Sequence, residues 1–149
     1  MSDAKLHGKC LCTAVDVTAT PARASLSVCH CDMCRAWSSG MFMAFQAETG
    51  SVHATGPVTT FTSSEWAERA FCGQCGSPLW YRITADGPMH GQHQVSAGLF
   101  EDAGGMIPKL EVYIDRKPGG YALEGERTTM TEAEVMALYA PQGGERDDG

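Results

Sequence analysis

Three cysteines fall within six positions of the segment CHCDMC, residues 29–34. Cys29, Cys31 and Cys34 are too closely spaced for ordinary packing, and they are one thiol short of the four ligands of a structural zinc site. Three protein ligands with one open position are typical of catalytic zinc. The segment therefore predicts a metal site whose fourth position is free for another ligand.

His30 stands between two of these thiols. Alternate residues of an extended strand share a face, so Cys29 and Cys31 should point to one side and His30 to the other. We expect His30 to pack against the protein or to support the site rather than to bind the metal. Cys34 can return to the metal if the chain turns before it, and a short helical turn can follow it.

The segment FCGQCGSPL, residues 71–79, contains a second thiol pair. Zinc binding by Cys72 and Cys75 needs a tight turn with backbone N–H groups aimed at the sulfurs, and Gly73 and Gly76 permit the positive φ angles of such a turn. A thioredoxin-like motif would start a helix at the second cysteine, which Gly76 and Pro78 disfavour. The segment predicts a zinc-binding turn.

Cys10 and Cys12 form the third group, with Leu11 between them. In an extended strand both thiols would lie on one face, and with Cys72 and Cys75 they would complete a closed four-cysteine site. Such sites are structural, and they stabilise a fold by joining distant parts of the chain. Spacing alone leaves open another pairing, in which Cys10 and Cys12 join two cysteines of residues 29–34.

Composition limits the classes of function. The formal charge of −7 argues against nucleic acid or an anionic membrane as the main partner. The start of the chain is polar, without the apolar segment of a secretory signal, and no apolar run is long enough to span a bilayer. Seven cysteines, all inside the three groups, indicate metal binding in a reducing compartment. We therefore expect a cytoplasmic protein.

The pattern of apolar residues predicts a mainly β fold of antiparallel sheets in a single domain, residues 1–149, with a core over about 6–123. Thr131 and Glu134 form a capping box that starts a short C-terminal helix over about 131–140. A disordered tail, 141–149, is expected to follow. The predicted strands cover residues 14–19, 25–30, 41–48, 58–63, 78–84, 93–100 and 109–115.

The order of the motifs resembles one known family. C-x-C, then CHCDMCR, then FCGQCGSPL, then VYIDRKPGGYAL at 112–123 is similar to the glutathione-dependent formaldehyde-activating (GFA/CENP-V) family over residues 7–123. The resemblance implies a β-tent fold with two zinc ions. It assigns Cys10, Cys12, Cys72 and Cys75 to a structural zinc, and it assigns Cys29, Cys31 and Cys34 to a catalytic one.

The resemblance also implies an activity. It points to a zinc-dependent carbon–sulfur lyase that forms or cleaves a thiol–aldehyde adduct, such as S-hydroxymethylglutathione from glutathione and formaldehyde. Arg35, directly after Cys34, is the best-placed candidate for holding a substrate carboxylate, although a surface ion pair explains it equally well. Trp37 and Phe42 either line a pocket or pack in the core. Thr13 departs from the pattern, because relatives often carry glycine after the C-x-C pair.

Two other classes of function compete with the enzyme. In a zinc-stabilised protein-binding module both metals would be structural, and added thiols would not reach the second one. In a thiol-based redox or metal-buffering protein, oxidants would release the zinc reversibly. An exchange measurement of thiol–aldehyde adduct formation distinguishes the enzyme from both alternatives.

Overall fold

The computed structural model describes residues 4–139, and these form a mainly β fold, as the sequence predicts. The eleven strands are β1 Leu6–Lys9, β2 Asp16–Ala19, β3 Leu26–Cys29, β4 Phe42–Gln46, β5 His53–Thr55, β6 Val58–Thr62, β7 Ala67–Cys72, β8 Pro78–Ile83, β9 His93–Ser96, β10 Pro108–Val112 and β11 Thr128–Met130. The two α-helices are α1 Asp32–Ser38 and α2 Glu132–Tyr139. The expected disordered tail, 141–149, lies outside the described residues.

The chain divides into two compact units. One contains the chain up to Leu26 together with Met43–Ile107, and the other contains Ser27–Phe42 together with the chain from Pro108 onward. The four-cysteine group belongs wholly to the first unit, and the three-cysteine group belongs wholly to the second. The expectation of a single domain stays a prediction.

The first unit is built on antiparallel strand pairs. One sheet has the order β1-β2-β5, and β4, β9, β8, β7 and β6 follow one another in a second sheet. Its core is apolar, with the rings of Phe45 and Phe100 centred 5.4 Å apart and Leu79 fully buried. Cys10 and Cys72 belong to the same buried cluster, so the four-cysteine group is part of this core.

The second unit contains β3, β10 and β11 in the order β11-β10-β3. The pair β10/β11 is parallel, with Leu110 opposite Thr128 and Val112 opposite Met130. This pair departs from the expected antiparallel pattern because a long connection, rather than a hairpin, separates the two strands. Strand β3 ends at Cys29. Residues 29–31, the CHC turn, lead from this strand into α1.

The C-terminal helix begins where the capping box predicts. The N–H of Glu134 donates to Thr131 Oγ1 over 3.2 Å, and Glu134 Oε1 accepts from the N–H of Thr131 over 2.8 Å. Asp115 Oδ1 accepts from the N–H of Glu132, the first helical residue, over 2.9 Å. Val135 is buried, but Leu138 is 58% exposed, so only part of the apolar surface of α2 is packed against the protein.

Four strands, β1, β5, β7 and β11, were not expected from the sequence. Strand β7 shows why, because AERAFC lacks the β-branched residues that mark strands. It is nevertheless hydrogen-bonded on both sides, to β6 and to β8, and Arg69 within it is 4% exposed. Pairing with two neighbours overrides the weak local preference.

Within residues 4–139, no helix combines the length and the apolar character needed to cross a membrane. The longer of the two α-helices, α2, has eight residues, whereas a membrane-spanning helix needs about 20.

Candidate functional site

The structure brings the thiols of Cys10, Cys12, Cys72 and Cys75 together, with all four Sγ atoms within 4.8 Å of one another. The Sγ of Cys12 lies 3.7 Å from that of Cys10 and 3.8 Å from that of Cys72. Tetrahedral zinc with Zn–S bonds of about 2.3 Å places its sulfurs about 3.8 Å apart. The donor set and spacing therefore fit zinc, and the alternative pairing with residues 29–34 is not the one the fold adopts.

The first two thiols converge through a turn rather than through a strand. Strand β1 ends at Lys9, and the N–H of Thr13 donates to the carbonyl of Cys10 over 3.1 Å. The expectation that Cys10 and Cys12 lie on one face of a strand is therefore wrong in its local geometry. Leu11, between them, is 84% exposed, and its N–H donates to Ser77 Oγ over 3.0 Å.

The second pair sits in the tight turn that FCGQCGSPL predicts. The N–H groups of Gln74 and Cys75 both donate to the Sγ of Cys72 over 3.3 Å. The N–H of Gly76 closes the turn on the carbonyl of Cys72 over 2.8 Å. These donors stabilise negative charge on the sulfur, as zinc binding requires.

This turn requires glycine at two positions, for a different reason at each. Gly76 has a φ of 83°, in the left-handed region that favours glycine. Gly73 does not have a positive φ, contrary to expectation. A Cβ on Gly73 would lie 2.6 Å from Thr59 Oγ1 and 3.2 Å from the carbonyl oxygen of Pro57. Glycine is needed at 73 because the turn passes close to a neighbouring strand.

Other polar groups surround the same four sulfurs. Ser77 Oγ lies 3.1 Å from Cys75 Sγ, and this hydroxyl, with the backbone N–H of Ser77, lowers the pKa of the Cys75 thiol to about 5. Gln74 Nε2 donates to Cys12 Sγ over 3.3 Å, and the N–H of Val15 donates to Cys10 Sγ over 3.3 Å. Hydrogen-bond donors thus face the sulfurs of Cys10, Cys12 and Cys75, and they favour the thiolate form of Cys75.

The three remaining thiols also meet. The Sγ atoms of Cys29, Cys31 and Cys34 lie within 4.8 Å of one another, and no His, Cys, Asp or Glu elsewhere in residues 4–139 completes the set. Cys31 is the N-cap of α1, and its Sγ accepts from the N–H of Cys34 over 3.3 Å. The expected helical turn thus begins before Cys34, at Asp32, and it brings the third thiol back to the first two.

Hydrogen bonding among the three thiols shifts the pKa values of Cys29 and Cys31 in opposite directions. Hydrogen bonds from Cys29 and Cys34, supported by the N–H groups of Cys34 and Met33, lower the pKa of the Cys31 thiol to about 2. Hydrogen bonding to Cys31 and Cys34, together with burial, raises the pKa of Cys29. One thiolate is thus stabilised by two thiols, and binding of a metal requires the cluster to release protons.

His30 points away from this cluster, which confirms that it is a packed residue. Its ring is fully buried, with Nε2 2.7 Å from Glu111 Oε1. Its N–H donates to the carbonyl of Val112 over 3.1 Å. Sequence reasoning missed Glu111, because a carboxylate that alternates with Leu110 and Val112 in a predicted strand indicates the side that faces solvent.

The candidates for substrate contact lie in α1 and just after it. Arg35 forms an ion pair with Asp32, and its Nε donates to the carbonyl of His30 over 3.1 Å. The Arg35 side chain is 33% exposed. The rings of Trp37 and Phe42 are centred 5.3 Å apart, and Phe42 is buried. A role for Arg35 in substrate binding stays a prediction.

Comparisons with known proteins agree with this arrangement of cysteines. A family model described as glutathione-dependent formaldehyde-activating enzyme matches residues 5–116, which contain all seven cysteines. An uncharacterized lyase of Schizosaccharomyces pombe is 35% identical over 131 residues, covering 87% of this chain and 93% of that protein. The chain belongs to the glutathione-dependent formaldehyde-activating enzyme family.

Proposed function

We propose that this protein is a zinc-dependent carbon–sulfur lyase that forms or cleaves an adduct between a thiol and a small aldehyde. Glutathione and formaldehyde, which give S-hydroxymethylglutathione, are the proposed pair. The supporting observation is the cluster of Cys29, Cys31 and Cys34, in which no fourth ligand of those side-chain types occurs among residues 4–139. Three thiolates with one open position leave room for a substrate thiol.

The two cysteine groups would have different tasks. Cys10, Cys12, Cys72 and Cys75 would hold a structural zinc, and the three-cysteine cluster would hold the catalytic one, giving two zinc ions per chain. When bound at the second site, zinc would supply positive charge that keeps a thiol deprotonated at neutral pH. The Cys31 thiolate, stabilised by backbone N–H groups at the start of α1, would help to retain the ion.

The proposed reaction conserves all atoms and needs no oxidant. The sulfur of the thiol forms a bond to the carbonyl carbon, while the π electrons of the C=O bond move to the oxygen. That oxygen takes up the proton that the thiol gave up, and the reverse step releases the aldehyde. The open three-cysteine cluster would hold the sulfur of the substrate thiol in place, so the chain would contribute by orienting the thiol toward the aldehyde.

Arg35 is the proposed group for a carboxylate of the thiol substrate. The chain has a formal charge of −7, so an anionic peptide thiol needs a local cation. A substrate carboxylate would compete with Asp32 for the guanidinium of Arg35, which is already partly exposed. Such an exchange replaces one charged hydrogen bond with another, as arginine readily permits.

We also propose a cytoplasmic location, with no nucleic acid and no membrane as partner. None of the seven cysteines forms a disulfide, as a reducing compartment requires. The negative charge disfavours nucleic acid.

An exchange measurement by NMR tests the function. Zinc-loaded protein is added to thiol and formaldehyde, and the exchange rate of the adduct is compared for glutathione and 2-mercaptoethanol. We expect acceleration above the spontaneous rate, a preference for glutathione, loss of acceleration in Cys31→Ser and loss of the preference in Arg35→Met.

The same measurement can refute the proposal. Absence of acceleration with every thiol, in protein that holds two zinc ions, would favour the zinc-stabilised binding module. Acceleration that persists in Cys31→Ser would show that the chemistry lies elsewhere in the chain.

A further inference from the structure

His30 is held at three points. Its N–H donates to the carbonyl of Val112 over 3.1 Å, its own carbonyl accepts from Arg35 Nε over 3.1 Å, and its ring Nε2 lies 2.7 Å from Glu111 Oε1. The residue is fully buried. The centre of the CHC turn is therefore bonded through its backbone on both sides and through its side chain.

The partner of the ring is itself fixed. Glu111 is 5% exposed, and its second oxygen, Oε2, lies 2.7 Å from Arg127 Nη1. Arg127 Nη2 also donates to the carbonyl of Glu124. Burial opposes ionisation of Glu111, but the hydrogen bonds from His30 and Arg127 prevail and lower its pKa. A carboxylate only accepts hydrogen bonds, so His30 Nε2 is the donor.

The hydrogen bonds that run from Arg127 through Glu111 end at His30, which lies between the two proposed ligands Cys29 and Cys31. Rotation of the peptide groups on either side of His30 would move the thiols of Cys29 and Cys31 in different directions. Fixing the middle residue therefore fixes both thiols at once. A buried, ionised Glu111 costs solvation energy that packing alone would not require, and Arg127 adds a second buried charge.

We infer that Glu111 and Arg127 are positioning residues for the three-cysteine site, acting through His30 to keep Cys29 and Cys31 facing one metal ion. The inference rests on the proposed metal site but not on the proposed reaction. Groups that orient metal ligands typically contribute about 10-fold to 100-fold to metal affinity. Glu111 and Arg127 belong to the same compact unit as the three-cysteine group, whereas the four-cysteine group belongs to the other unit.

The test measures metal release from the full chain. Zinc-loaded protein is mixed with a chromophoric chelator, and the phase that disappears in Cys31→Ser identifies the three-cysteine site. Glu111→Leu should speed this phase by about 10-fold to 100-fold and leave the other phase unchanged. Glu111→Gln keeps one oxygen that can accept from His30 Nε2 but turns its NH2 group toward Arg127, so its release rate should lie between those of the wild type and Glu111→Leu.

A cobalt-loaded sample gives a second readout. The absorption bands of cobalt report ligand geometry, and Glu111→Leu should change only the bands that Cys31→Ser removes. Glu126→Leu is the matched control, because Glu126 is an exposed glutamate two residues before β11, the strand that pairs with β10. This control should leave both release phases and the spectrum as in the wild type.

Several results would overturn the inference. Unchanged release and an unchanged cobalt spectrum in folded Glu111→Leu would do so, as would equal acceleration of both phases, which indicates general loosening. If Glu111→Leu does not fold, Arg127→Met decides, because it removes the hydrogen bond to Glu111 Oε2, and wild-type release in that variant would refute the inference. A wild-type chain that binds one metal would instead refute the proposed function before any variant is compared.

Discussion

Thr13, which follows Cys12 of the four-cysteine group, has an unfavourable backbone conformation. Its φ is 67°, in the left-handed region, and its N–H closes the turn onto the carbonyl of Cys10. A β-branched side chain is poorly accommodated there. The turn that joins Cys10 to Cys12 therefore imposes strain on Thr13.

Replacement of this residue should stabilise the protein. The left-handed conformation costs a non-glycine residue roughly 1–2 kcal/mol, whereas the added freedom of glycine in the unfolded chain costs about 0.5–1 kcal/mol. We expect Thr13→Gly to raise the free energy of unfolding of the zinc-loaded protein by about 0.5–1 kcal/mol, measured by urea denaturation. Thr13→Ala removes the β-branch but keeps the Cβ, so it should give a smaller gain than Thr13→Gly. Equal gains from both variants would show that the backbone is not the cause.

At the scale of elements, helix α1 links local structure to metal binding. Cys31 is the N-cap of the helix and Cys34 lies in its first turn, so one helical turn carries two of the three proposed ligands. The same sulfur that would bind the metal also accepts a hydrogen bond from the N–H of Cys34. Helix formation and assembly of the site are therefore coupled at Cys31.

Two substitutions separate these roles. The serine hydroxyl in Cys31→Ser can still cap α1, whereas Cys31→Ala removes both the ligand and the cap. We expect both variants to hold one metal fewer than the wild type, measured by elemental analysis. Cys31→Ala should be less stable than Cys31→Ser by about 1 kcal/mol, measured by urea denaturation. Equal stabilities would contradict the capping role, and a full metal content in Cys31→Ser would contradict the ligand role.

At the scale of the whole molecule, the four-cysteine group stands out by its relation to the core. Cys10 and Cys72 belong to the main apolar cluster of the first unit, with Cys12 and Cys75 packed against it. A structural zinc contributes about 10–16 kcal/mol in small zinc domains, as much as the total stability of a typical domain, about 5–15 kcal/mol. Loss of the proposed structural zinc from the four-cysteine group would therefore remove enough free energy to unfold the protein.

This difference predicts opposite outcomes for two conservative substitutions. Cys72→Ser should abolish folding, seen as loss of the dispersed NMR spectrum and of the thermal transition. Cys31→Ser should keep both and lose only one metal ion. If Cys31→Ser unfolds the protein as completely as Cys72→Ser, the division into a structural and a catalytic zinc is wrong.

The sequence by itself predicts which residues are candidate metal ligands. Thiols at C-x-C, C-x-C-x-x-C and C-x-x-C spacing predict metal ligands because the side-chain type and the local spacing decide what a short segment can bind. The capping box at Thr131 and Glu134 was also readable, since its hydrogen bonds join residues three positions apart. Strand β8 could be recognised because its own side chains have strong strand preferences.

The tertiary structure decided what depends on distant partners. The sulfurs of Cys12 and Cys72 meet across 60 positions, and His30 meets Glu111 across 81. No local pattern encodes such pairs, because strand register and turns set them. Strand β7 likewise exists because two neighbours pair with it. The types of the ligands follow from the sequence, whereas their grouping, the turn at Thr13 and the burial of the His30–Glu111 pair follow from packing.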